Sequence, residues 1–378
     1  MIPENLQIKD AALELVAGKV MAGQRLTFED GLSLFRSNDL LTIGYLAHHV
    51  RQKLHGNRTY FNVNRHINPT NVCVASCRLC AFGRKGDAPG AYTMGLEEAF
   101  RVAGRGWTEA ITEFHIVGGL HPDLPFEYYV DLIRGLKTRF PTVHLKAFTA
   151  VEIGYYSHIT RKSVKEILER LKDAGLGSLP GGGAEIFAPA TRRKICDHKI
   201  GAYMWLKVHR TAHQLGLHST ATMLYGHIES DDDRVDHLLQ LRKLQDETQG
   251  FQTFIPLKFH PVNTELGKEV GFRESDGFLD LKNVAVARLL LDNFPHIKAY
   301  WIMLTPRVAQ VALRFGADDI DGTVVEEKIY HDAGATTPQG MTRQELMRLI
   351  REAGQEPFER DTLYHPVVRT GASLAIEA

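Results

Sequence analysis

One pattern repeats along most of this chain: a short run of β-type residues, a turn, then an apolar stripe at helical spacing. The β-type runs are Tyr60 to Ile67, Ile111 to Val117, Val143 to Phe148, Leu176 to Phe187, His218 to Leu224, Thr253 to Phe259, Ile297 to Met303 and Asp318 to Val324. Between them lie helix patterns. Phe126, Tyr129, Val130, Ile133 and Leu136 form one such stripe behind Pro125, and Gly175 closes another. Thr93 is expected to cap a helix with Glu97 and Glu98 in its first turn. Eight strand–helix units predict an α/β fold, a (β/α)8 TIM-type barrel. An open doubly wound sheet fits the alternation too, but no G-x-G-x-x-G or Walker loop supports it. Residues 1–57 read as an N-terminal helical cap, with a T-x-x-D start at Thr27. Residues 58–325 read as the barrel and 326–378 as a C-terminal helical extension. In that extension Thr342-x-x-Glu345 is a capping box.

In such a barrel, chemistry sits on the loops that follow the strands. The loop after the first strand holds three of the four cysteines, spaced Cys73-x3-Cys77-x2-Cys80. Three thiolates on a short loop can bind three corners of an iron–sulfur cube, where ordinary ferredoxin-type clusters use four. The fourth iron is then open to a substrate or cofactor. Two other readings stay open from spacing alone. The cysteines can hold zinc with His66 or His115 as fourth ligand, although no second ligand knuckle follows. They can also be structural.

Lys+Arg and Asp+Glu both total 45, so net charge is zero and nothing recommends a nucleic-acid partner. The start of the chain lacks a signal-peptide pattern, and no apolar run is long enough for a membrane span. The cysteines form no disulfide framework, which fits a reducing cytoplasm.

The Cys73-x3-Cys77-x2-Cys80 loop after a strand resembles the radical S-adenosylmethionine (radical SAM) superfamily. Leu79 is a minor departure, since that position is often aromatic. The resemblance implies a [4Fe–4S] cluster on Cys73, Cys77 and Cys80, with SAM bound at the open iron. It assigns cofactor contacts to Gly118 and Gly119, where absence of a Cβ lets backbone carbonyls approach the methionine amino group. The usual acidic third residue is missing there: the text is Gly118-Gly119-Leu120-His121-Pro122. Glu185, after Gly181-Gly182-Gly183, is a candidate acceptor for ribose hydroxyls, with a surface or salt-bridged role as the alternative. Thr222-x-Leu224-x-Gly226-x-x-Glu229 resembles the superfamily's G-x-I-x-G-x-x-E motif, which supports the adenine, with Thr222 at the first glycine. Glu229 is read as structural.

The texts Asn68 to Cys73, Cys80-Ala81-Phe82, His115 to Pro122 and Gly181 to Phe187 resemble the menaquinone-futalosine and deazaflavin branch, and within it the aminofutalosine synthase family. That resemblance implies addition of the 5'-deoxyadenosyl radical to 3-[(1-carboxyvinyl)oxy]benzoate. Rearrangement and decarboxylation would give aminodeoxyfutalosine for menaquinone. It also implies an electron donor such as flavodoxin or ferredoxin. The alternatives are a cyclic dehypoxanthine futalosine synthase, a deazaflavin-forming sibling, or a non-redox zinc-binding barrel. No acid–base residue is singled out. His121, His227, His260 and His331 also fall near strand ends; Lys258, Arg84 and Arg288 are candidates for substrate carboxylates; Cys196 is given no role.

Overall fold

The computed structural model describes residues 8–106, 108, 110–271, 277–370 and 373–376. The ends of the expected cap and extension, residues 1–7 and 377–378, lie outside them. The expected first strand is two strands, β1 (Arg58–Asn62) and β2 (Asn64–Ile67), broken at Val63. The break lets one extended segment serve two sheets. β2 opens a seven-stranded parallel sheet that continues through β3 (Glu113–Ile116), β4 (His144–Ala147), β5 (Ser178–Leu179), β6 (His218–Tyr225), β7 (Phe251–Lys258) and β8 (His296–Ile297). β1 pairs instead with β9 (Asp319–Gly322) and with β10 (Glu356–Glu359). The C-terminal segment, expected to be helical, therefore also supplies strands; β11 (Val367–Thr370) and β12 (Ser373–Ile376) form a hairpin beyond β10.

The sheet curls, and β9 with the residues just after it joins its two edges. Isolated parallel bridges join Lys298 to Asp319 and Arg65 to Val325. Ala299 N–H donates to Asp319 O at 2.8 Å, and His66 N–H to Val325 O at 3.0 Å. The eighth position of the barrel is thus filled by short contacts rather than by a long ladder. At Gly322 an added Cβ would meet Asn62 Oδ1 at 2.1 Å, so only glycine fits where β9 crosses β1.

Along the strands the alternation has a chemical meaning. Phe114, Ile116, Leu145 and Ala147 point to the helix layer and join the apolar core. Their alternates His115 and Lys146 line the interior, with Thr220, Thr222 and Asp321. Fully apolar strands are the norm for a parallel sheet covered on both faces, so these inward polar residues are there for another reason.

The helices are punctuated by local capping. Thr27 and Asp30 form a capping box for Phe28–Arg36, Ser163 and Glu166 one for Val164–Ala174, and Thr342 and Glu345 one for Arg343–Glu352. Gly175 ends its helix at φ 116°. Thr93 does not cap: Gly95 precedes Leu96–Gly104, and the Thr93 hydroxyl meets Thr70 Oγ1 at 2.9 Å. Helix Leu40–His55 packs on Phe278–Leu290, where the buried Lys282 ammonium donates to Phe35 O and Ser37 O at 2.8 and 2.7 Å. At the opposite end of the barrel from the loops below, Asp318 gathers Arg288, His296 and His55. Arg288 is therefore structural and faces no substrate cavity. Among the described residues no helix is long and apolar enough to cross a membrane.

Candidate active site

A cavity of about 260 Å³ opens at the carboxyl ends of the strands. Its rim is the cysteine loop, and the text before the cysteines builds that rim. Asn68 Nδ2 donates to Val117 O at 2.9 Å, and Thr70 Oγ1 to Tyr92 O at 2.9 Å. The Asn71 amide donates to Gly90 O at 2.9 Å and accepts from Tyr92 N–H at 2.7 Å. Cys73 N–H then donates to Arg84 O and Val74 N–H to Leu120 O. Further along, Arg78 N–H donates to Ile195 O at 3.0 Å, and its guanidinium holds Glu265 at 2.8 Å and Glu269. Arg84, a candidate for a substrate carboxylate, donates instead to the loop carbonyls of Ala81 and Gly83.

Cys73, Cys77 and Cys80 all line the cavity. Burial pushes the Cys77 thiol up to about 12 and raises Cys73. A bound metal deprotonates such thiols outright. Three thiols on one short loop at the rim of a cavity are a donor set that can serve three irons of a cube. His66 and His115 line the same cavity from β2 and β3. Among the described residues, His55, His296 and Asp318 form a group of candidate ligand atoms within 4.8 Å of one another, at the other end of the barrel from this loop.

Gly118 and Gly119 lie directly behind the loop. A Cβ on Gly119 would meet Val72 O at 2.2 Å, and Gly119 N–H donates to Thr70 O at 2.8 Å. The corner is glycine because the cysteine loop's backbone occupies the space of a side chain. Gly118 N–H donates to Glu152 Oε1 at 3.1 Å. Glu152 was not anticipated, although Thr149-x-x-Glu152 is a capping box for helix Ala150–Thr160 and reads as one. Its Oε2 accepts Thr149 N–H at 2.7 Å and the Thr149 hydroxyl at 2.8 Å. Burial pushes Glu152 up to about 7 against these hydrogen bonds. His121 closes the turn: its Nδ1 accepts from Asp123 and Leu124 N–H.

The triple glycine follows β5 and lies on β6. Thr220 Oγ1 accepts Gly181 N–H at 2.8 Å, and the Thr222 hydroxyl donates to Gly181 O at 2.7 Å. Thr222 thus pins the glycine loop. Arg192, also unanticipated, is buried beneath it and donates to Gly183 O at 3.0 Å, Ile186 O at 3.3 Å and Ala184 O. Glu185 sits at φ 47° and pairs with Lys199 at 2.6 Å. Burial would raise Glu185, but Lys199 outweighs it and holds the carboxyl below its usual range. Burial opposes the Lys199 charge too, yet Cys77, Glu185 and Cys196 hold it well above the lysine range. Glu185 lines the cavity with its charge matched by Lys199, an arrangement closer to the salt-bridged alternative than to a free acceptor. Glu229 accepts Gly226 and His227 N–H and pairs with Arg234, a loop-building role.

Residues 67–241 match the family model for the radical SAM superfamily, and residues 248–371 match that for the CofH/MqnC C-terminal region. The chain is 51% identical to the aminodeoxyfutalosine synthase of Thermus thermophilus, over 95% of this chain and 97% of that one. It is also 51% identical to the aminodeoxyfutalosine synthase of Streptomyces coelicolor, over 92% of each. The chain belongs to the radical SAM superfamily, in the aminodeoxyfutalosine synthase family. The fold agrees: methylornithine synthase superposes with a TM-score of 0.72 at 18% identity, covering 90% of this chain and 97% of that one.

Radical SAM enzymes use a [4Fe–4S] cluster and SAM, and the residues present fit both. The donor set is three thiols on one loop, all at the cavity. The Gly118–Gly119 corner and the glycine loop leave backbone next to it. Lys258 and His260, at the carboxyl end of β7, also line the cavity, with Lys258 paired to Asp280 at 3.2 Å and His260 Nε2 near Met303 O at 3.2 Å. His227 bonds within its own loop, and His331 pairs with Glu327 at 2.9 Å.

Proposed function

We propose that this protein is an aminodeoxyfutalosine synthase. It joins the 5'-deoxyadenosyl group of SAM to the vinyl carbon of 3-[(1-carboxyvinyl)oxy]benzoate. Rearrangement and loss of a carboxyl then give aminodeoxyfutalosine for menaquinone biosynthesis. The observation that carries this is the 51% identity over 95% of the chain, which includes the cysteine loop and the glycine loops around the cavity. Cys73, Cys77 and Cys80 would hold the cluster. Gly118, Gly119, Glu185 and Thr222 would form the SAM side of the cavity, Thr222 through the glycine loop it fixes. When bound, the cluster and SAM supply one-electron cleavage of the S–C bond and so the adenosyl radical. An electron donor of the flavodoxin or ferredoxin kind would supply that electron, in a reducing cytoplasmic compartment.

The protein's own tasks are physical. Val117, Leu120, Leu224, Leu257 and Phe259 make the walls apolar, which excludes water from a reactive centre. The cap on Thr149 and the Thr220–Thr222 clamp fix the two glycine loops, so that the alkene meets its reaction partner in one geometry. No side chain need move a proton for addition to occur.

The test is turnover of the anaerobically reconstituted protein with SAM and the enolpyruvyl benzoate, read by mass spectrometry. Adenosine carbon built into the product supports the proposal. Free deoxyadenosine in step with substrate loss overturns it in favour of a cyclising sibling. A colourless zinc protein overturns both.

A further inference from the structure

Below the glycine loops, three inward side chains stand in register on adjacent strands: His66 on β2, His115 on β3 and Lys146 on β4. Lys298, just after β8, lines the same floor with Asp321 of β9. His66, Lys146 and Lys298 are deeply buried, at 8%, 5% and 2% exposed, and His115 is half-buried, its side chain 22% exposed. Buried polar groups in native proteins are hydrogen-bonded. Here, among the described residues, no hydrogen bond reaches a ring nitrogen of His66 or His115; His115 Nδ1 lies 4.0 Å from Glu113. The Lys146 ammonium meets one carboxylate, Glu113 at 2.8 Å, and Lys298 meets one, Asp321 at 3.3 Å. An ammonium has three N–H donors, so the floor has capacity left over, and it faces the cavity.

Lys146, Lys298 and Arg360 stand against Glu113, Asp321 and Asp319. Glu113 lies behind Lys146 and does not line the cavity, whereas Asp321 does. The histidines are neutral donors, because burial lowers both. Their rings stack at 4.6 Å and 14°, a flat wall beside the ammonium groups. What the floor holds in surplus is N–H donors, and what completes it is a strong acceptor such as a carboxylate, carried on a planar group.

We propose that this floor is the seat for the ring carboxylate of the aromatic substrate, held by Lys146 and Lys298 with N–H groups of His66 and His115. The inference rests on the proposed function for the identity of the substrate. It follows from depth. The reacting vinyl end belongs beside the cysteine loop and Gly118–Gly119. His115 precedes Gly118 by three residues, roughly 10 Å of strand. A meta-substituted benzoate spans from one level toward the other, and its ring carboxylate is the end that points down.

The test uses reconstituted holoenzyme and two probes, 3-hydroxybenzoate and phenol, which share a ring and differ by the carboxylate. Calorimetry on the wild type is expected to show 3-hydroxybenzoate binding roughly 10- to 100-fold tighter, the range for charge-assisted hydrogen bonds. Lys298→Met is expected to collapse that ratio toward one while iron content and SAM affinity stay at wild-type values, and Lys298→Arg to restore part of it. Because a lone Asp321 is a buried unpaired charge, Lys298→Met combined with Asp321→Asn is measured as well. An unchanged ratio in a folded, iron-loaded variant overturns the proposal. Failure of the proposed function is separate: it is the absence of aminodeoxyfutalosine in wild-type turnover, whatever the probe ratio.

Discussion

Replacing Gly119 with alanine should remove the cluster site and leave the barrel standing. The added Cβ would lie 2.2 Å from Val72 O, 2.8 Å from Val72 C and 3.1 Å from Asn71 C. These are backbone atoms next to Cys73, so no rotamer change relieves the contact. Ordinary spacing requires the strands to part by roughly 1 Å, and overpacking of that kind typically costs about 1–3 kcal/mol. Two hydrogen bonds bracket the clash, Gly119 N–H to Thr70 O and Val74 N–H to Leu120 O. Losing both adds about 1–3 kcal/mol. The cheapest relief is for the cysteine loop to swing away. Anaerobic reconstitution followed by iron and sulfide titration should show most of the iron lost and SAM affinity gone, with far-UV circular dichroism unchanged. Gly182→Ala is the control, because its Cβ would meet only the Thr149 methyl at 3.2 Å, a group that can give way. Gly118→Ala, 3.0 Å from Thr70 O, should fall between them. A Gly119→Ala protein with full iron and wild-type SAM affinity would refute the argument.

Cys77→Ala should abolish the visible absorption of the reconstituted cluster, whereas Cys196→Ala, buried in the helix Pro189–Cys196, should keep it; an intact spectrum in Cys77→Ala removes that cysteine from the ligand set. Arg192→Lys should cost about 2–4 kcal/mol in chemical denaturation, since a single ammonium cannot serve the spread of carbonyls that the guanidinium reaches; an unchanged midpoint argues that water or relaxation replaces it. Burial lowers His55, His144 and His213 to about 4 and His237 to about 3. Against an unfolded value near 6.5, the unfolded chain binds more protons between about pH 4 and 6.5, so stability falls as pH falls, by up to about 1.4 kcal/mol per histidine per unit. Glu152 acts in the opposite direction: raised to about 7, its folded carboxyl holds a proton that the unfolded one has lost, so it costs stability as pH rises from about 4.5 to 7. Glu152→Gln should therefore steepen the profile by one proton equivalent in that window, and a parallel profile would contradict the assignment.

What the sequence determined by itself is local or short in range. Thr27 with Asp30, Thr342 with Glu345 and Gly175 act on atoms a few residues away, so their type and spacing suffice. The cysteine spacing is likewise a property of one loop, and strand–helix alternation is enough to announce a parallel sheet covered by helices. Three things were decided only by closure of the sheet. The first strand splits at Val63 because two sheets claim its halves. Thr93 goes to Thr70 and leaves the helix start to Gly95. Arg288, a plausible anion partner on paper, is consumed by Asp318 at the far end of the barrel. The inward residues show the reason most plainly. Lys146 and Lys298 sit within β-type runs rich in apolar residues, which signals an unusual position but not a direction. Which lysine faces a cavity, and which acid stands behind it, depends on strands brought together from across the chain; that pairing is set by register and curvature, and neighbouring letters do not encode it.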